Sequence, residues 1–263
     1  MSKLEANNIC VSFGPKQVLQ NVSFAVERGS VVGLVGANGS GKSSLLRSVL
    51  GILKSPTGEV LIDGTNSNEI TPRQRANLVA YAPQGAEMHW MLPVERLVAI
   101  GRTPHLAPWS QMSRKDWEIV EHALEVTDMI ELRHQIASTL SGGEKARALL
   151  ARAIAVDAPY LLADEPVAAL DPYHQLQVLD ILYDMSRTGQ GIVIVLHDLS
   201  LAQRYCDKVF LLHDAKVLAE GTPEQVFTDA RLEKAYKVRM VRNQHEGTSF
   251  LTLIDRSDRE TLL

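Results

Sequence analysis

The chain has 263 residues, 45% of them hydrophobic and 22% charged, and its 27 basic and 31 acidic side chains leave a formal net charge of −4. At that length a globular chain buries about 75% of its unfolded surface, enough for a core without staples. The evenly mixed charge argues against a nucleic-acid partner, the distant Cys10 and Cys206 read as two inert thiols, and no apolar run approaches the roughly 18 residues of a membrane span.

The first residues, MSKLEANN, lack the apolar centre of a secretory signal. Short β-like runs follow, Leu4 to Phe13 and Val18 to Val26, separated by the Gly14-Pro15 turn. Ser30 to Val35 is a continuous apolar run of the kind that parallel sheets bury on both faces. It breaks at Gly36, and Lys42 to Leu50 then has helical character.

The break, GANGSGKS from Gly36 to Ser43, fits G-x-x-x-x-G-K-[ST] in the strand-to-helix setting which that motif requires. Glycines let successive backbone N–H groups turn toward phosphate oxygens, and the following helix adds its positive end. Gly36, Ala37, Asn38, Gly39, Ser40, Gly41, Lys42, Ser43 and Ser44 are therefore the expected nucleotide cradle. Lys42 is suited to the terminal phosphates and the Ser43 hydroxyl to Mg²⁺. Such a loop fixes nucleotide binding alone, since kinases, GTPases, helicases and transport ATPases all use one.

Two more strands are expected at Glu59 to Gly64 and Leu78 to Tyr81, before Pro83. From about Leu92 to Ile136 the pattern turns helical, interrupted by a loop from Gly101 to Pro108, which reads as a helical insertion. At TLSGGEKARALLARAI a hydroxyl and two glycines precede helix-forming sequence, which by itself is a capped helix start and in context a second phosphate-binding helix end.

YLLADEP, Tyr160 to Pro166, is an apolar strand ending in two carboxylates. Strand alternation is expected to point Asp164 and Glu165 in different directions. Asp164 then suits the Mg²⁺ shell, and Glu165 suits polarisation of a water attacking the γ-phosphate. A helix from Pro172 to Arg187 leads to the strand Ile192 to Leu196, which delivers His197 to the same sheet edge. His213 sits in a hairpin turn between Leu211 and Glu220 and is read as solvated. After a short helix from Pro223 to Phe227, residues 231 to 263 read as a polar tail with one apolar run, Phe250 to Ile254.

Taken in order, the glycine loop, Gln84, LSGGE, LLADEP, AALD and the histidine after a strand resemble the ATP-binding subunits of ABC transporters over nearly the whole chain. The resemblance implies an α/β fold: a RecA-like P-loop NTPase core with a mainly parallel sheet, an antiparallel β subdomain and an inserted helical subdomain. It implies an ATPase domain over residues 3–235, a helical subdomain over about 90–155, and a tail over 236–263 that packs on the domain or extends it.

ATP and Mg²⁺ are the implied ligands, with Phe13 stacking on adenine where the family usually has tyrosine. Gln84 is implied to touch Mg²⁺ and the attacking water, with Glu165 and His197 catalytic beside it. Leu140, Ser141, Gly142, Gly143 and Glu144 are the implied signature, acting on the nucleotide of a second chain, and Asp171 closes the D-loop. Val167 and Ala168 depart from the Thr and Ser often found there.

Val94 to Leu106 and the tail from Lys234 are similar to importer ATPases for iron–siderophore complexes, haem and cobalamin. The implied assembly is a homodimer or pseudo-dimer on two transmembrane permease subunits at the cytoplasmic face of the plasma membrane, the bacterial inner membrane. A solute-binding protein feeds it, and nucleic acid has no part. The alternative is a permease-free ATPase of the same superfamily in cofactor or cluster assembly. A GTPase or small-molecule kinase is disfavoured because N-K-x-D is missing.

Overall fold

The computed structural model describes residues 2–55, 57–85, 91–245 and 248–256. In chain order the strands and α-helices are β1 (Lys3–Phe13), β2 (Lys16–Glu27), β3 (Val31–Val35), α1 (Lys42–Val49), β4 (Thr57–Ile62), β5 (Thr65–Asn66), α2 (Pro72–Leu78), β6 (Val79–Ala82), α3 (Val94–Ala99), α4 (Arg114–Val126) and α5 (Gly142–Ile154). They continue with β7 (Tyr160–Asp164), α6 (Pro172–Arg187), β8 (Gly191–Val195), α7 (Leu199–Tyr205), β9 (Lys208–His213), β10 (Lys216–Gly221), α8 (Pro223–Val226), α9 (Asp229–Tyr236), β11 (Val238–His245) and β12 (Thr248–Arg256).

The main sheet has the order β10-β9-β3-β8-β7-β6 and is parallel except for β10, which pairs antiparallel with β9 through a turn at Asp214 and Ala215. Both turn residues have positive φ, 46° and 63°, the backbone that a two-residue hairpin needs to match strand twist. A second sheet, β2-β1-β4-β5, is antiparallel throughout.

Alternation along the parallel strands divides the core in two. Val31, Leu161, Ala163, Ile192 and Ile194 face the helical side, while Val32, Leu34, Tyr160, Leu162, Val193 and Val195 face the antiparallel sheet and α1. With both faces covered, β3, β7 and β8 are buried at every residue, which is why they read as unbroken apolar runs. Cys206 lies against Gly33, where a Cβ would meet its Sγ at 2.8 Å, and burial pushes the thiol pKa up, so that thiol is inert as expected. Cys10 differs: Thr57 and the Asn21 amide hold its thiol below the usual value.

The helical side is built on α3, α4 and α5. Where the sequence reads as a loop from Gly101 to Pro108, the chain forms a 3₁₀ helix over Ile100–His105. Its buried Arg102 bonds Asp116 at 3.0 Å and the carbonyls of Ala155 and Val156 at 3.0 and 3.2 Å. A charge removed from water needs such partners, and here they hold the turn against the end of α5.

The tail is more ordered than its polar composition suggests. Its described residues form α9 followed by the β11–β12 hairpin, whose Met240 and Leu251 pack on the helical-side core, and residues 257–263 of the expected tail lie outside the described residues. Among the described residues no helix is long and apolar enough to cross a membrane.

Candidate active site

The loop from Gly36 to Gly41 joins the end of β3 to α1. Gly41 is the residue before the helix, at φ 106°, and a Cβ there would lie 2.7 Å from both the Val18 carbonyl and Leu19 Cδ2. Only glycine fits that turn. No side chain caps the start of α1 and its first turn carries no carboxylate, so the helix end presents free N–H donors and uncompensated positive potential. Ser40 Oγ is buried with no hydrogen-bond partner among the described residues, another donor in the same loop.

Lys42 is buried, and its Nζ donates to the Gly36 and Ala37 carbonyls at 2.7 and 3.1 Å. Burial lowers its pKa, opposed by the negative charge of Glu165 and Asp164. The ammonium therefore sits in a dehydrated pocket and is short of counter-charge.

Asp164 ends β7, fully enclosed, and accepts from Ser43 Oγ at 3.0 Å and Tyr81 Oη at 3.2 Å. Desolvation raises its pKa while those two hydrogen bonds lower it. Ser43 Oγ and Asp164 Oδ1 form a pair of hard oxygen donors of the type Mg²⁺ takes.

Glu165 has already left the strand. Its φ is 53°, in the left-handed region that non-glycine residues rarely adopt and that clusters at functional sites. This turn, and not strand alternation, separates the two carboxylates. Glu165 is 12% exposed, pairs with His197 Nε2 at 2.5 Å and accepts from Gln84 Nε2. Two strand ends and the turn after β6 thus fix one carboxylate.

One cleft of about 440 Å³ is lined by Asn38, Gly39, Gly41, Lys42, Ser43 and Ser44 of the loop together with Gln84, Glu165 and His197, while Asp164 lies buried behind Ser43, outside the lining. Lys16 and Val18 of β2 complete it, and sequence reasoning missed both. They reach the loop only because the antiparallel sheet packs across it. Tyr81 was missed too, although it is two residues before Pro83 on the strand beside β7. A fourth unanticipated neighbour is Tyr236 of α9, whose buried hydroxyl lies beside the Gly36 amide.

Phe13 does not line the cleft. It is 54% exposed at the corner between β1 and β2, opposite Lys16. Ala37, Gly36 and Ser40 lie outside the lining as well, the latter two buried beneath it.

The residues of LSGGE are not in this cleft. Leu140 is buried, and Ser141 and Glu144 form a reciprocal capping box, Ser141 N to Glu144 Oε2 at 2.7 Å and Glu144 N to Ser141 Oγ at 3.3 Å. The hydrogen bonds from Ser141 lower the Glu144 pKa. Gly143 abuts Leu170, where a Cβ would lie at 3.3 Å, but around Gly142 a Cβ would meet nothing within 4 Å. Among the described residues nothing requires glycine at 142.

Gly142 instead lines a second cleft of about 450 Å³ that also contains Gln84, Glu165, Ala168 and Ala169. Asp171 caps α6, accepting from the His174 amide at 3.0 Å and its Nδ1 at 2.8 Å. His213, read as solvated, is half-buried and pairs with Asp214 at 3.2 Å, away from both clefts.

A family model described as ABC transporter matches residues 19–168. The chain is 36% identical over 236 residues to the petrobactin import ATP-binding protein FpuD of Bacillus anthracis, covering 89% of this chain and 86% of that one. It is likewise 36% identical over 247 residues to the hemin import ATP-binding protein HmuV of Pseudomonas aeruginosa, covering 92% and 95%. Among solved structures, the ATP binding subunit of an ABC transporter superposes with a TM-score of 0.76 at 26% identity, over 85% of this chain and 91% of that one.

Proposed function

The chain belongs to the ABC transporter family of ATP-binding proteins, and from that membership we propose that it drives import of a metal chelate such as an iron–siderophore complex, haem or cobalamin. As a member it binds and hydrolyses ATP, and members of this importer family work as dimers with membrane permeases. The substrate class is supported by what the relatives named above import, since they match 89% and 92% of this chain.

The observation that carries the hydrolytic reading is the placement of one carboxylate, Glu165, between Gln84 and His197 at the mouth of the glycine loop. In this reading the loop amides, Lys42 and the α1 end hold the ATP phosphates. Ser43 and Asp164, with Gln84 near them, would hold Mg²⁺, which offsets phosphate charge when bound. Glu165 takes a proton from the attacking water, a general-base contribution of about 10²–10⁴-fold. His197 holds Glu165 in place and reaches toward the γ-phosphate. ADP and phosphate are the products.

The bare backbone at Gly142 favours a site completed by a second copy. Ser141, Gly142 and Gly143 would face the phosphate held in the partner chain's loop, with the D-loop that ends at Asp171 alongside, and each of two sites would draw on both chains. The cleft between the parallel core and the helical side, with Gln84 on its wall, is where a permease at the cytoplasmic face of the membrane would feel nucleotide state. Phe13 would stack on adenine by closing over the cleft from its exposed corner.

The test is purification with a candidate permease in lipid vesicles. Hydrolysis should rise severalfold when permease and chelate-loaded binding protein are both present. Hydrolysis indifferent to any permease, with stable association only with soluble cluster-assembly proteins, would overturn the importer reading.

A further inference from the structure

The hydrolytic reading leaves unexplained what fixes His197, and this inference rests on that reading. His197 lies in the short connector between β8 and α7, with its side chain 40% exposed. On one side β8 is locked between β3 and β7. On the other stands α7, a helix of seven residues. Two turns of helix do not persist unaided, because nucleation costs more than so few bonds return. The position of His197 therefore depends on what anchors α7.

Three sets of contacts do so. Leu199, Ala202 and Tyr205 are buried, and Tyr205 Oη bonds Asp180 of α6 at 2.7 Å. Asp198 caps the helix, its carboxylate accepting from the Ser200 and Leu201 amides at 2.7 and 3.2 Å. The third set comes from the carboxy-terminal hairpin. Ser200 Oγ donates to the Leu251 carbonyl at 3.0 Å and accepts from the Leu251 amide at 3.2 Å.

One hydroxyl thus satisfies both backbone groups of a β12 residue, as a neighbouring strand would, and it does so in the first turn after His197. The hairpin is itself held down by Leu251 and Met240 on the core and by Arg242, which donates to the Phe227 carbonyl at 2.7 Å.

We propose that the carboxy-terminal hairpin is a positioning element for His197, acting through the Ser200–Leu251 staple. Ser200 is a positioning residue and touches no reacting atom. Nucleotide binding, which belongs to the loop and α1, does not depend on it. The staple tunes the rate at which bound ATP is cleaved.

The experiment compares Ser200→Val, Ser200→Ala and Ser200→Thr in the full chain. Valine matches threonine in shape but lacks the hydroxyl, and alanine covers a folding failure of the β-branched variant. Losing the staple should lower kcat about three- to tenfold with KM for ATP unchanged, the scale of one or two neutral hydrogen bonds. Ser200→Thr should restore it. In a His197→Ala background, read by single-turnover hydrolysis, Ser200→Val should have no further effect.

Wild-type kcat in both Ser200→Val and Ser200→Ala overturns the proposal. So does a loss of equal size with and without His197, which would make Ser200 a purely structural residue. Wild-type hydrolysis by His197→Ala alone is distinguishable from both: it removes the reading of His197 and the proposal with it.

Discussion

Glu165 and His197 meet carboxylate to imidazole, Oε1 to Nε2 at 2.5 Å, from the ends of the adjacent strands β7 and β8. The contact depends on the left-handed backbone of Glu165, which turns the carboxylate back over the sheet edge while Asp164 stays buried below. Glu165→Gln keeps the shape and loses the base. Turnover should fall by about 10²–10⁴-fold while ATP binding persists. Phosphate release and a fluorescent-nucleotide titration check the two halves, and ATP should now hold the variant as a dimer in light scattering. Hydrolysis at the wild-type rate would remove Glu165 from the mechanism.

Lys42→Ala should weaken ATP binding by about 1.5–3 kcal/mol, or tenfold to more than a hundredfold in Kd, the value of a hydrogen bond to a charged group. The fold should not suffer, because burial already disfavours the Lys42 charge and its Nζ reaches only loop carbonyls. Calorimetric titration with ATP and a thermal melt separate these effects. Unchanged affinity would contradict the cradle.

Gly142→Ala discriminates between the demands of one chain and those of two. Among the described residues the added methyl meets nothing within 4 Å, and Ala in a helix is favoured over Gly by about 0.5–1 kcal/mol, so Tm should hold or rise. Where a second subunit's nucleotide approaches the same backbone, the methyl intrudes and kcat should drop at least about tenfold, the equivalent of 1.4 kcal/mol. A variant of unchanged activity would leave the glycine unexplained.

Acid should loosen the helical side. Ser113 hydrogen bonds, ahead of the Arg102 guanidinium, hold the Asp116 carboxyl down to about 2. Its folded value thus lies below the unfolded value of about 3.9, so the stabilisation is complete above that and is lost as pH falls toward 2. Asp116→Asn should flatten this acid limb. At neutral pH it should cost about 3–5 kcal/mol by leaving the Arg102 charge without its partner. Circular dichroism melts from pH 7 to pH 2 read both effects.

The glycine loop, the buried strands and the order of the motifs were legible because each is local: a handful of adjacent residues sets the turn, the helix end and the burial. What was not legible depended on packing between distant segments. Lys16 and Val18 join the cleft only when the antiparallel sheet closes on the loop, and Phe13, expected beside them, stays outside. Alternation predicted diverging carboxylates for Asp164 and Glu165, and they do diverge, but through a positive φ that no periodicity announces. In the tail, Arg239 and Arg242 interleave with Met240 and Val241 and hide the strand. The hairpin becomes evident only against the core and Ser200.

The central claim, that each hydrolytic site draws on two copies of this chain, is tested most directly by mixing. Lys42→Ala spoils every glycine loop and Ser141→Arg every signature, so each variant alone should be inactive. In a mixed dimer one site keeps an intact loop from one chain and an intact signature from the other. At equal amounts hydrolysis should return to as much as about a quarter of the wild-type rate, since half the dimers are mixed and each has one good site of two. A mixture as inactive as its components, or full activity of the Ser141→Arg chain alone, would contradict the two-chain site.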